Sequence, residues 1–134
     1  MTVIELFPER WSAGADVDRA NVLFRLGCCQ FGFGAIGDAL TLLTRALDLC
    51  DGTRLPCDRL RVQALDWRSR CHQRLGDSAA ALADVEQALD VARTLGDRAL
   101  LGRIAFHGSI VAERQSQWLL ARRYAEEARS LLDD

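Results

Sequence analysis

Lysine is absent from this sequence, and all 17 cationic side chains are arginine. A phosphate-binding loop of the Walker type requires a lysine and is therefore excluded. A basic surplus is also missing, since the formal net charge is -2, and this argues against direct nucleic-acid binding. No apolar run reaches the roughly 18 residues that would cross a bilayer. We therefore expect one globular domain whose partner is neither a nucleic acid nor a membrane.

The chain offers neither a secretory signal nor a cysteine framework. Charged residues and a proline interrupt residues 1–15, so we predict a cytoplasmic location. The five cysteines are an odd number without regular spacing, which favours reduced thiols packed as small apolar groups. The alternative is zinc held by Cys50, Cys57, Cys71 and His72, although their spacing matches no paired ligand motif. We expect no cofactor.

Two parts of the chain repeat each other at an offset of 42 residues. The segment from Arg45 to Cys50 matches the segment from Gln87 to Ala92. The same offset places Gly34 on Gly76, Ala39 on Ala81, Leu40 on Leu82 and Leu43 on Val85. A more diverged third copy at an offset of 40 places Trp118, Ala121, Ala125 and Ala128 on Ser78, Ala81, Val85 and Ala88. The repetition indicates an internally duplicated fold.

Each copy is predicted to be two helices joined by a tight turn, because helix formers dominate and Gly or Ser stands where a helix must stop. The predicted helices cover residues 17–33, 37–50, 57–75, 78–94, 98–115 and 117–132. No segment shows strand alternation. The predicted fold is an all-α solenoid of about three antiparallel helix hairpins. It comprises an N-terminal leader or cap at 1–16 and a repeat domain at 17–134, with repeats at about 17–53, 57–95 and 98–134.

The repeats resemble the tetratricopeptide family, in a long-period form of 40 to 42 residues that is similar to repeats of bacterial multidomain regulators. In the first copy the matching residues are Leu23, Leu26, Gly27, Gly34, Ile36, Ala39, Leu43, Ala46 and Leu47. In the second they are Leu65, Ser69, Gly76, Ala81, Val85, Ala88 and Leu89, with Arg68 and His72 departing from the pattern. In the third they are Gly108 or Ser109, Trp118, Ala121, Ala125 and Ala128, with Ser116 in place of the turn glycine. Small residues at Gly27, Ser69 and Gly108 would let paired helices approach closely.

The resemblance implies a concave groove, lined by the first helix of each repeat, that binds a protein or peptide. The groove candidates are Asn21, Gln63, Asp66, Arg70, Gln73, Arg74, Arg103 and Arg114. The first copy would add Phe24 and Cys28, and the third copy has two registers, either Arg103, Phe106, Ile110 and Arg114 or Gly102, Ala105 and Ser109. A lysine clamp for a peptide carboxylate is disfavoured, but Arg70 and Arg74 can bind an acidic peptide bidentately.

The two ends of the array are expected to carry uncovered apolar stripes. In the last helix, Trp118, Ala121, Ala125, Ala128 and Leu132 are predicted to pack on the partner helix. We expect an end-contact interface at Trp118, Leu120, Tyr124 and Leu131, covered by a further repeat or by a second copy in a homo-oligomer. In the first helix, one stripe holds Leu23, Gly27 and Phe31 and the next holds Val22, Leu26, Cys29 and Phe33. Val3, Ile4, Leu6, Phe7 and Trp11 either cap that helix or form an adhesive arm.

No catalytic constellation is visible in the sequence. Few serines are present and none lies in a nucleophile elbow, while the carboxylates are spread over different helices. We therefore predict a non-enzymatic protein-protein interaction module, a scaffold or adaptor that binds a peptide or partner helix and can form part of a larger bacterial regulator. One alternative is a peptide- or small-effector-sensing domain of a transcription regulator. The other is a repeat that self-assembles through uncapped ends.

Overall fold

The computed structural model describes residues 8–53 and 56–132, and side chains from residue 15 onward within these ranges. The described residues form six helices and no strand, so the all-α prediction is confirmed. The helices are α1 (Pro8–Gly32), α2 (Ile36–Gly52), α3 (Asp58–Arg74), α4 (Ser78–Leu95), α5 (Arg98–Arg114) and α6 (Trp118–Leu132). None of the helices in these ranges has the length and apolar character needed to span a bilayer.

The helix bounds lie within two residues of the sequence-based ones, with the exception of the start of the first helix. Helix α1 begins at Pro8 and not at 17, so part of the predicted leader of residues 1–16 is helical. The leader residues Val3, Ile4, Leu6 and Phe7, and the side chain of Trp11, lie outside what the structure describes.

The helices pair in chain order as α1 with α2, α3 with α4 and α5 with α6, and each pair forms a hairpin. Adjacent hairpins stack because α2 packs on α3 and α4 packs on α5. This is the arrangement of a helical solenoid, in which each hairpin contacts its neighbours along the chain.

Each hairpin turns through one residue with a positive φ angle, at Gly34 (85°), Gly76 (84°) and Ser116 (58°). The backbone N–H of this residue donates to the carbonyl oxygen three residues earlier in each turn. The bonds run from Gly34 to Phe31, from Gly76 to Gln73 and from Ser116 to Glu113. The next amide donates to the carbonyl of Gln30, His72 or Ala112. The three turns are therefore the same helix-ending motif, and Ser116 adopts a conformation that normally favours glycine.

One pair of repeat positions is occupied by different residue types in the three hairpins. In the second hairpin, Arg68 forms two hydrogen bonds to Asp84, at 2.9 and 2.7 Å. At an offset of 40 these positions are Gly108 and Tyr124. A Cβ atom on Gly108 would lie 3.1 Å from a carbon of the Tyr124 ring, so the ring packs closely against the glycine. In the first hairpin the corresponding positions are Leu26, which is 48% exposed, and Leu42, which is half-buried. The repeat thus tolerates an ion pair, a ring on a glycine or two leucines at one place.

Tyr124 is buried, so its assignment to an uncovered end stripe is wrong. The absence of a side chain at Gly108 leaves a recess that the tyrosine ring fills, and burial raises the pKa of Tyr124. This places Tyr124 inward and turns Trp118 and Ala125 outward, so the predicted inward stripe is wrong for both of these residues.

The remaining end-contact candidates are placed more favourably for a contact. Leu120 and Leu131 are half-buried and Trp118 is exposed. Leu119 is also exposed, and so is Leu132, which the sequence had assigned to the inward stripe. The apolar surface of α6 that stays uncovered is therefore centred on its two termini.

Candidate functional site

The first helices of the three hairpins lie side by side. Helix α1 contacts α3, and Ser69 of α3 lies within hydrogen-bond distance of His107 of α5. The side chains between these contacts form the candidate groove, which is built from α1, α3 and α5.

Two aromatic rings and two arginines link α1 to α3 in this groove. The rings of Phe31 and Trp67 meet edge to face with centroids 5.3 Å apart. The guanidinium of Arg70 lies 4.7 Å from the Trp67 centroid, and that of Arg74 lies 5.2 Å from the Phe31 centroid. Both arginines are therefore held in place by cation–π contacts. The sequence analysis did not single out Trp67, which follows the predicted groove residue Asp66, and it placed Phe31 on one of the two apolar stripes of α1.

A polar cluster links α3 to α5. Asp66 is 9% exposed, and its Oδ2 accepts a hydrogen bond from Arg70 at 3.2 Å. The Ser69 hydroxyl donates to the carbonyl of Asp66 at 2.6 Å. Because this hydroxyl has only one proton, it must accept from Nε2 of His107, which lies 3.0 Å away. The hydrogen bonds therefore assign the Nε2–H tautomer to His107.

Burial lowers the pKa of His107, and the nearby charges of Arg70 and Arg114 act in the same direction, against the opposing effect of Asp66. The imidazole is therefore neutral at pH 7. Oδ1 of Asp66 is buried without a hydrogen-bond donor among the described residues, and Nε2 of His107 is 3.9 Å from it. The cluster is thus an α3–α5 link with one unused acceptor.

Ser69, His107 and Asp66 have the composition of a hydrolase triad but not its geometry. In a triad the serine and the carboxylate contact opposite nitrogens of the imidazole. Here both Ser69 Oγ and Asp66 Oδ1 face Nε2. Ser69 is also fully buried, and its hydroxyl proton is used within α3. This arrangement holds two helices together and does not generate a nucleophile.

The structure decides the register of the third repeat. Gly102 and Ala105 are buried in the core, so the register that placed them in the groove is wrong. Arg103, Phe106 and Arg114 are exposed. In the first repeat, Phe24 is buried and does not belong to the groove surface.

The other predicted groove residues vary in accessibility. Asn21 and Arg74 are exposed, while Gln63, Arg70 and Gln73 are half-buried. Asn21 and Gln63 meet at one end of the groove, where they line an open hollow of about 400 Å³ between α1 and α3.

Several arginines lie on the first helices of the hairpins. Arg74, Arg103 and Arg114 form no ion pair with any residue that the structure describes. Elsewhere some arginines are paired, as in Arg59–Asp97 at 2.8 Å, while others, such as the exposed Arg45 and Arg123, also form no ion pair with a described residue. Asp66, the acidic residue of the polar cluster, is already bonded to Arg70. Guanidinium groups are therefore available on the first helices although the whole chain has a net charge of -2.

The four residues of the zinc alternative do not come together in the structure. Cys50 and Cys57 are adjacent, whereas His72 lies beside Asp84, with 3.6 Å between Nε2 and Oδ2. The described part of the chain contains no cluster of three or more potential metal ligands.

Comparison with known proteins places this fold among tetratricopeptide-like helical repeats. Aspartyl phosphate phosphatase F from Bacillus subtilis superposes with a TM-score of 0.78 and 14% identity over 87% of this chain and 30% of the phosphatase. The N-terminal domain of stress-induced protein-1 from C. elegans superposes with a TM-score of 0.74 and 17% identity, over 90% of this chain and 89% of that domain. The chain thus spans less than a third of the phosphatase. No protein-family model matches the sequence, and no curated protein matches it.

Proposed function

We propose that this protein binds an acidic segment of a partner protein, a peptide or one face of a helix, in the groove formed by α1, α3 and α5. The observation that carries the proposal is the set of groove arginines, Arg74, Arg103 and Arg114, that have no acidic partner among the described residues. Guanidinium groups bind carboxylates bidentately and are favoured at protein interfaces.

The arrangement of the groove supports recognition rather than chemistry. Arg70 and Arg74 are positioned by Trp67 and Phe31, so less side-chain entropy is lost when a carboxylate binds. Exposed Phe106 offers an apolar contact beside Arg103 and Arg114. We therefore propose that the domain is not an enzyme and that an acidic, partly apolar ligand lies across the three helices.

The proposed binding activity also suggests a cellular role for the domain. We propose the role of an adaptor or scaffold, alone or within a larger bacterial regulator, and a cytoplasmic location. The similarity to two proteins of different description supports the fold and leaves these roles as predictions.

The test uses two fluorescent 15-residue amphipathic peptides that differ only in carrying glutamate or lysine on the polar face. Fluorescence anisotropy should show that the acidic peptide binds about tenfold or more tightly than the basic one, which corresponds to about 1.4 kcal/mol. Substitution of both Arg103 and Arg114 by Glu should remove that preference. Equal binding of the two peptides, or no binding of either, would contradict the proposal.

The matched control is Arg122→Glu, an arginine on the outer surface of α6. This variant should bind the acidic peptide like the unmodified chain, because Arg122 lies outside the groove. Helicity measured by circular dichroism shows that each variant is folded. A loss of binding in the control equal to that in the groove variant would indicate a general charge effect.

A second candidate function, self-association, is favoured by the outer face of α1. Val22 and Leu26 are 57% and 48% exposed, and Phe33 is 83% exposed. At offsets of 42 and 82 residues, Val22 corresponds to Ala64 and Ile104, which are both buried. In the second and third hairpins the preceding helix covers these positions. In the first hairpin they are apolar and exposed.

The outer face of α6 is more polar than that of α1. Leu82 and Leu89, which are buried in α4, correspond to Arg122 and Arg129 in α6. Charged residues at these positions are typical of a solenoid end that faces solvent. We therefore propose that two copies associate through α1 rather than through α6.

Analytical ultracentrifugation across a concentration series tests this association. Leu26→Glu should shift the chain to monomer, while Trp118→Glu, at the start of α6, should leave the association unchanged. A chain that is monomeric at all concentrations would contradict the proposal. Dissociation by Trp118→Glu alone would instead support the end contact at α6.

A further inference from the structure

Two cysteine sulfurs meet where the first hairpin joins the second. Cys50 lies in the last turn of α2, and Cys57 immediately precedes α3. Their Sγ atoms are 2.6 Å apart, and both residues are buried. A disulfide bond is about 2.05 Å long, whereas non-bonded carbon atoms pack at about 3.5–4.0 Å. The two sulfurs are therefore closer than ordinary packing of separate thiols requires.

The positions of both sulfurs are determined by packing rather than by a loose loop. Cys50 and Cys57 belong to the apolar core, and the helices that carry them, α2 and α3, pack on each other. Arg61 of α3 reinforces the junction, because its guanidinium lies 3.4 Å from the Cys50 carbonyl and 2.9 Å from a carboxylate oxygen of Asp51. The folded chain thus holds the two thiols together without a covalent bond.

The remaining cysteines are not placed in this way. Cys28 is half-buried, Cys29 is exposed and Cys71 is buried. Among the described residues, Cys50 and Cys57 are the cysteine pair whose sulfurs lie within hydrogen-bond distance.

We propose that Cys50 and Cys57 are a disulfide-forming site that reacts with low-molecular-weight disulfides and covalently joins the first hairpin to the second. This proposal does not depend on the ligand of the groove. It assigns a covalent modification to the junction between repeats.

The reaction is a two-step thiol–disulfide exchange. The Cys57 thiolate attacks one sulfur of a small disulfide RSSR, so a Cys57–SR bond forms, the S–S bond breaks and RS⁻ leaves and takes up a proton. Cys50 then loses its proton and attacks Sγ of Cys57, which forms the Cys50–Cys57 bond and releases the second RSH. In total, two protein thiols are oxidised while one RSSR is reduced to two RSH.

The order of the two steps follows from burial. Burial and the neighbouring Cys57 raise the pKa of Cys50 to about 12, so this thiol stays protonated at neutral pH. Cys57 is the less deeply buried of the two and is the better placed to attack first. We expect the exchange to be slow in the folded chain, because both cysteines are buried, although Cys57 lines the open hollow of about 400 Å³ between α1 and α3.

The test equilibrates the full chain with mixtures of reduced and oxidised glutathione. A parallel sample is refolded from guanidinium in the same mixtures, so that burial does not limit access. Free thiols are then alkylated in denaturant and counted by mass spectrometry. We expect the five thiols of the reduced chain to fall to three, and the peptide containing Cys50 to be linked to that containing Cys57.

The bond should also be visible as a change in stability. It closes a loop between positions seven residues apart, for which the chain-entropy relation and the size of the chain give a rise in Tm of about 7 °C. Dithiothreitol should reverse the rise. Cys50→Ser should abolish it, and Cys71→Ser, a buried cysteine outside the pair, should retain it.

Two results would overturn the proposal. One is five alkylated thiols after both oxidation routes, and the other is a linkage of Cys57 to any cysteine other than Cys50. If Cys50→Ser does not fold, the thiol count and peptide map of the unmodified chain still decide the question.

Discussion

The contribution of the ion pair Arg68–Asp84 to stability can be predicted by comparing it with the residues at the corresponding positions of the first hairpin. The corresponding positions in the first hairpin are Leu26, which is 48% exposed, and the half-buried Leu42, so an apolar pair occurs at these repeat positions. We predict that Arg68→Leu alone strongly destabilises the chain. The double substitution Arg68→Leu with Asp84→Leu should recover most or all of the loss.

The magnitude follows from the burial of the carboxylate. Asp84 is 4% exposed, and Arg68 donates to both of its oxygens. The same hydrogen bonds raise the pKa of Arg68. Removal of one partner of a buried pair typically costs about 3–5 kcal/mol, because the other charge is left uncompensated, whereas apolar replacement of both is often neutral or stabilising. Arg68 retains some solvent contact, so Asp84→Leu alone should cost less than Arg68→Leu.

The assay is urea unfolding of the four chains of this cycle, followed by circular dichroism at 222 nm. We expect Arg68→Leu to lower the free energy of unfolding by about 3 kcal/mol and the double variant to lie within about 1 kcal/mol of the original chain. Additive effects of the two substitutions would refute the reasoning.

Three further predictions use the turns, the groove histidine and a close helix contact. Ser116→Gly should raise the free energy of unfolding by up to about 1 kcal/mol, and Gly76→Ser should lower it, because a non-glycine residue is strained at positive φ. Urea titrations in which both substitutions change the free energy of unfolding in the same direction would contradict this. Since the fold lowers the pKa of His107 below its ordinary value of 6.5, its contribution to stability is present above pH 6.5 and is lost as the pH falls toward the lowered pKa. The free energy of unfolding should therefore decrease as the pH is lowered from 7.5 to 5.5, and His107→Gln should make this decrease smaller. Gly108→Ala should cost about 1–3 kcal/mol, because its Cβ would lie 2.7 Å from a Val85 methyl carbon, while Gly37→Ala, which meets nothing within 4 Å, should not destabilise.

The sequence by itself determined the hairpin architecture and most of the exposed groove. The repeat at 42 and 40 residues specifies the three helix pairs, and the turn residues Gly34, Gly76 and Ser116 specify where the two helices of each pair are joined. Helical periodicity then indicates that Arg74 and Arg103 face outward from the first helices. These properties are local, because they depend on residues close together in the chain.

The tertiary structure decided the rotation of α6 and the register of the third repeat. A shift of one residue rotates a helical face by about 100°. The recess at Gly108 therefore decided that Tyr124 turns inward while Trp118 remains exposed. The alternating small and apolar residues of α6 fit two faces equally well in the sequence alone.

Only the tertiary structure also brings the chemically important pairs together. Ser69 and His107 are 38 positions apart, and Arg68 and Asp84 are 16 apart. Such contacts depend on how separate helices rotate and slide against each other, and neither composition nor periodicity specifies these two quantities. The sequence therefore identified the repeat, whereas helix packing decided which side chains are buried, paired or left available to a partner.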